Sequence, residues 1–173
     1  GVDGIVTTIT NPTIFDAAVD EALAAGIPVI TANTDDPDGA AGSNRLAYVG
    51  QDLEAAGYEL AATLSKQFPD GPVHVLIGVA DMNQSWAYTR ANGIARFMDD
   101  FKAANPDREI TYEKIESGMD LSTVGNRVAS YVQTNPNTTA YFDVGFWEAG
   151  AAQGIRNLGY EPGQMLLAGF DLV

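Results

Sequence analysis

Three features of the sequence predict an α/β fold of doubly wound parallel sheets with helices on both faces. Strand-like and helix-like segments alternate along the whole chain, mostly joined by loops of a few residues. A continuous apolar run, Val73–Val79, is followed by small and polar residues, Ala80–Ser85, and then by an apolar helix pattern. Polar side chains gather just after the strand-like segments, where ligands bind in folds of this kind.

Gly4–Thr10 is rich in β-branched residues and reads as a strand. Asn11-Pro12-Thr13 stops it and starts a helix, with Asn11 or Thr13 as cap and Pro12 where a helix tolerates it best. That helix carries Ile14, Ala18, Ala22 and Ala25 and stops at Gly26. Pro28–Ala32 is the next strand. The segment 33–47, NTDDPDGAAGSNRLA, is the longest irregular stretch, and a loop of that length at a strand's carboxyl end is often functional.

Leu46–Gly50 reads as a short extended piece, and the helix after it turns Leu53, Leu60, Leu64 and Phe68 to one face before Pro69-Asp70-Gly71-Pro72 ends it. After the central strand, a helix from Ser85 to about Ala104 repeats Ile94, Phe97, Met98 and Phe101 at three- and four-residue spacing, which marks a core stripe. Glu109–Glu116 alternates like a half-exposed strand and is expected toward a sheet edge. A helix from near Ser122 turns Val124, Val128, Tyr131 and Val132 inward. Thr139–Asp143 is a strand, the next helix carries Ala151, Ala152, Ile155 and Leu158, and Met165–Gly169 is the last strand.

At 173 residues and 46% hydrophobic, the chain is long enough for a sizeable core. Its formal net charge of −14 repels phosphate backbones and anionic lipid, which argues against nucleic acid or membrane surfaces as partners. There is no cysteine, hence no thiol nucleophile or cysteine zinc site. The single histidine, His74, lies inside an apolar strand run and reads as a satisfied core or sheet-end residue. The motifs GxxxxGK[ST], GxGxxG and GxSxG are absent, and no apolar run reaches membrane-spanning length. There is no initiator Met or signal peptide, and the strand-like character of both ends leads us to expect that each is cut from something longer.

Asp81, Asn83, Gln84, Trp86 and Arg90 follow the central strand and stand where a ligand would lie. Asn33, Thr34, Asp35, Met119, Asp120, Asp143, Phe146, Trp147 and Asp171 follow the others. Carboxylates and amides that take hydroxyl hydrogen bonds, with an aromatic ring for a C–H face, fit a sugar. Hydrogen bonds to charged groups contribute about 1.5–3 kcal/mol each, so a few in a closed cleft suffice for tight binding. A cation near a helix amino end is unfavourable without a partner, which singles out Arg90. Asp143 reads equally as a cap, and Trp86 and Trp147 equally as packing.

The segments GVDGIVTTITNP, AAGIPVITANTD, AYVGQDLEAAG, RANGIARF and the closing AGFD resemble type I periplasmic sugar-binding proteins, the ribose- and galactose-binding group of ABC-importer receptors. The resemblance covers nearly the whole chain. It implies two α/β lobes that close on a sugar by hinge motion, delivery to a membrane permease, a periplasmic or extracellular setting compatible with lipid or membrane association but without direct membrane insertion, no cofactor and no catalysis. By that comparison residues 1–48 are a remnant of the first lobe and 49–173 most of the second, with the hinge crossing at Gly50 and Gln51. Arg90 matches the family's sugar-binding Arg, and Asp171 its ligand Asp in the GFD turn. Asn33 and Thr34 depart from an Asp-Arg pair of ribose-binding relatives, Met119 stands where relatives place an aromatic, and Gly145 where they place Asn, a loss that neighbouring Phe146 or Trp147 would offset. Gln51 reads as hinge or as ligand contact. The alternatives are an effector domain of a lac-repressor-type regulator, which resembles the same fold, and a Mg²⁺-dependent enzyme using strand-end aspartates.

Overall fold

A computed structural model describes residues 1–11 and 13–171. Two parallel sheets form. In the first, β1 (Ile5–Thr7), β2 (Val29–Asn33) and β3 (Ala47–Gly50) lie in the order β1-β2-β3; in the second, β4 (Val73–Val79), β5 (Ile110–Glu116), β6 (Thr138–Asp143) and β7 (Leu166–Ala168) lie in the order β5-β4-β6-β7. Helices alternate with the strands: α1 (Asp16–Ala24), α2 (Leu53–Leu64), α3 (Ser85–Ala104), α4 (Leu121–Thr134) and α5 (Glu148–Asn157). The doubly wound α/β class read from the sequence is the fold observed.

Strand order fixes where a crevice must open. The crossover from β4 to β5 carries α3 one way along the sheet, while those from β5 to β6 and from β6 to β7 carry α4 and α5 the other way. Right-handed connections therefore put α3 on one face and α4 and α5 on the opposite face, and the topology switches between β4 and β6. Helix packing agrees, since α2 lies along α3 and α4 along α5. The carboxyl ends of β4 and β6 thus flank the crevice.

The core sits in the four-stranded sheet. Val73, Val75, Leu76, Ile77 and Val79 of β4 are at most 1% exposed, as expected of a strand covered on both faces. Ile94 and Met98 of α3, Val124 and Val128 of α4, and Ala151 and Ile155 of α5 close on it. β5 lies at the sheet edge and alternates in burial, as its sequence pattern predicts. Among the described residues no helix is long and apolar enough to cross a membrane.

Some boundaries move. α1 starts at Asp16 with Phe15 as its cap residue, later than the sequence pattern indicates, because Thr13 takes a left-handed conformation (φ 73°) and residues 13–15 form a turn. The expected role of Pro12 lies outside the described residues. The fully buried line of α2 is Gly57, Ala61 and Leu64; Leu60 and, just past the helix, Phe68 pack half-buried against the core as expected, and Leu53 is half-buried. His74 is satisfied as expected, with Nδ1 2.8 Å from the Thr111 hydroxyl and Nε2 2.7 Å from that of Tyr131.

The loop after β1 meets the amino end of α3 directly. Ser85, the first residue of α3 and 1% exposed, donates its backbone N–H to the Thr10 carbonyl at 3.0 Å, and its hydroxyl also reaches that oxygen at 3.1 Å. Ile9 is fully buried at this junction and donates its N–H to the Thr34 carbonyl.

Candidate functional site

Arg90 projects from the second turn of α3 toward the β4–β6 switch point. Its Nη1 donates to the Val144 carbonyl, just past β6, at 2.9 Å, and its Nη2 to Gln51 Oε1 at 3.0 Å. The guanidinium lies 4.0 Å from the ring centroid of Phe170 and 5.9 Å from that of Trp86. Such cation–π contacts contribute about 0.5–2 kcal/mol each, the more so when desolvated.

The electrostatics of this arginine are unbalanced. It is half-buried, and burial pushes its pKa below the ordinary guanidinium range, with Asp171 and then Tyr48 pulling the other way. Asp171 is nonetheless not in salt-bridge contact with it; the ion pairs among the described residues are Arg45–Asp35, Arg96–Glu54 and Arg127–Glu116. Among the described residues the acceptors on Arg90 are a neutral carbonyl and a neutral amide, and its buried Nε has no partner there. A desolvated cation with a donor to spare is costly in a finished core and useful where a ligand completes the set.

Aromatic rings surround it. Phe146 and Trp147 stack at 4.4 Å between centroids, and Trp86 lies 6.4 Å from Trp147. Trp147 is 7% exposed and packs in the core, whereas Phe146 is 38% exposed and presents its ring at the surface. The loop that carries them is shaped by Asp143, which is fully buried at the end of β6. Its carboxylate accepts the Tyr141 hydroxyl at 2.7 Å and the backbone N–H groups of Gly145 at 2.8 Å and Trp147 at 3.5 Å. Asp143 is thus a turn anchor beneath the site. Burial pushes its pKa up, opposed in part by these hydrogen bonds. Phe170 N–H donates to the Gly145 carbonyl at 2.8 Å, which joins the loop after β7 to that after β6.

The other sequence-predicted residues are spread over several loops. Asp81 accepts the N–H of Asn83 at 2.8 Å and closes its own turn after β4. Met119 is 51% exposed on the loop after β5. Asp120 caps α4 by accepting the Thr123 N–H, and that side-chain hydrogen bonding lowers its pKa. Asn33 ends β2 in a left-handed conformation (φ 67°), while Thr34 is 4% exposed, with its carbonyl held by Ile9. Asp35 is committed to Arg45: burial raises its pKa, but hydrogen bonds from Arg45 and Thr31 outweigh that and hold it below the ordinary range. Among the described residues no three His, Asp or Glu side chains converge as metal ligands. Phe170 is the contact that sequence reasoning left out; its position beside Asp171 in the AGFD turn was the available signal.

The architecture is a doubly wound α/β fold with a crevice at its switch point, and similarity to known proteins assigns its family. The family model described as the periplasmic binding protein domain matches residues 1–173, and the chain belongs to this family. The chain is 28% identical to the xylose/arabinose-binding protein XylF of Sulfolobus acidocaldarius, over 94% of this chain and 39% of the relative. Among solved structures, a carbohydrate transporter from Acidothermus cellulolyticus 11B in complex with myo-inositol superposes with a TM-score of 0.78 at 28% identity, over 98% of this chain and 54% of that one. The XylFII–LytSN complex gives 0.80 at 25% identity, over 99% and 59%. The chain therefore spans well under two thirds of the length of these relatives.

Proposed function

We propose that this chain is part of an extracytoplasmic receptor that captures a sugar or sugar-like polyol and hands it to the membrane permease of an ABC importer, without catalysis. The observation that carries this reading is Arg90: a half-buried guanidinium stacked on Phe170, held by neutral acceptors, with an unpartnered Nε. Membership of the periplasmic binding protein domain family supports it, as do a relative named for xylose and arabinose and a carbohydrate transporter solved in complex with myo-inositol.

In this reading residues 1–48 belong to a first lobe and 49–173 to a second, with the crossing at Gly50 and Gln51. Arg90 donates to ring or hydroxyl oxygens, Asp171 accepts from hydroxyls, and Phe146 with Trp86 covers an apolar C–H face. Trp147 backs Phe146 from the core, and Asn33, Thr34, Asp81 and Met119 lie on the surrounding loops.

A thermal-shift screen of the full-length protein against pentoses, hexoses and inositols, with and without Arg90→Ala, tests it. A sugar at about 100 times its dissociation constant stabilises by about 2.7 kcal/mol. The expected result is a shift by at least one sugar in the wild type that the variant loses; a shift that survives Arg90→Ala removes Arg90 from the site.

A further inference from the structure

Gln51 is where the chain leaves β3 for α2, and it does more there than connect them. Its main chain is pinned: the Tyr48 hydroxyl sits 2.8 Å from the Gln51 carbonyl and 2.9 Å from the Asn33 carbonyl, a single hydrogen shared between the ends of β2 and β3. Its side chain faces α3 and accepts from Arg90 Nη2 at 3.0 Å. Nη1 is fixed at the Val144 carbonyl and the guanidinium face at Phe170, so Gln51 supplies the third constraint on the plane of the fork. Three constraints of this kind leave Arg90 one orientation.

The chemistry of that third contact matters as much as its geometry. A carboxylate at this point would form a charge-assisted, bidentate pair with the guanidinium and neutralise it in place. The Gln51 amide oxygen takes one hydrogen bond from Arg90 and, being neutral, leaves the charge unmet. We propose that Gln51 is a positioning residue for ligand capture, one that orients Arg90 without neutralising it and ties the ligand-contacting arginine to the segment that joins the two sheets. This rests on the receptor reading of Arg90 given above.

The variants Gln51→Glu and Gln51→Ala in the full-length protein test it, by calorimetric titration with D-xylose, L-arabinose and myo-inositol and by thermal unfolding without ligand. Gln51→Glu is expected to raise the unliganded unfolding midpoint, because a desolvated cation gains a counter-charge, while weakening ligand binding by roughly tenfold or more. Gln51→Ala, which removes the constraint without adding charge, is expected to weaken binding several-fold with a smaller change in midpoint. A residue with a merely structural role would move stability and affinity in the same direction. Affinities within twofold of wild type in both variants, or affinity and midpoint falling together in Gln51→Glu, would overturn the inference while leaving the receptor standing. A wild type that binds none of the three probes and gives no shift in the wider screen overturns the receptor reading and this inference with it.

Discussion

Asp143 shows how much of the candidate site is decided below its surface. Three donors hold a fully buried carboxyl, and these together set the path of Gly145–Trp147 and so the place of Phe146. Its pKa is raised by burial, so the folded state favours the protonated form: its contribution to stability is fullest below the ordinary carboxylate range and is lost as pH rises through the raised pKa. Asp143→Asn removes that titration. Urea unfolding is expected to show the variant gaining on the wild type as pH rises from the ordinary carboxylate range through the raised pKa, and a difference that stays constant or moves the other way would contradict the assignment. The sequence places Asp143 at a strand end, where capping and ligand binding read alike; burial is set by β4, Tyr141 and the helices, none of which local pattern reveals. Arg90 is legible for the opposite reason: a cation in the second turn of a helix is anomalous on local grounds alone.

The helices meet through glycines, and here sequence pattern misses most. A Cβ on Gly93 would lie 2.0 Å from the Glu54 carbonyl oxygen, and one on Gly57 would lie 2.0 Å from that of Arg90, so α2 and α3 touch backbone to backbone. Scoring apolar side chains at helical spacing gives Leu53, Leu60, Leu64 and Phe68 as the inner face of α2, because glycine carries no signal in such a count. The fully buried line follows Gly57, Ala61 and Leu64, with Leu60 and Phe68 packed half-buried beside it. The longer stripe of α3, with Ile94 and Met98, is legible because large side chains fill it. Gly93→Ala forces backbone apart rather than a flexible side chain, and destabilisation by about 3 kcal/mol is expected in chemical denaturation. Gly57→Ala presses on the main chain of Arg90 itself and is expected to weaken sugar binding beyond its effect on stability, measured by calorimetry on the folded fraction.

At the scale of the molecule, seven strands and five helices among the described residues stand in the order read from the sequence, because period and turn chemistry are local properties. The contact between the loop after β1 and α3 is not local. Ser85 and Thr10 are far apart in sequence and carry no mutual signal, yet they bond directly at the amino end of the helix that bears Arg90. The net charge of −14 suits a neutral ligand, since the same field that opposes nucleic acid also opposes phosphorylated or acidic sugars. The crystal structure of the full-length protein with the strongest ligand from the thermal screen decides the matter. The expected result is a sugar at the carboxyl ends of β4 and β6, with its oxygens in hydrogen-bond reach of the Arg90 guanidinium and its C–H face against Phe146 or Trp86; a sugar bound elsewhere, with Arg90 still free of it, would contradict the assignment of the site.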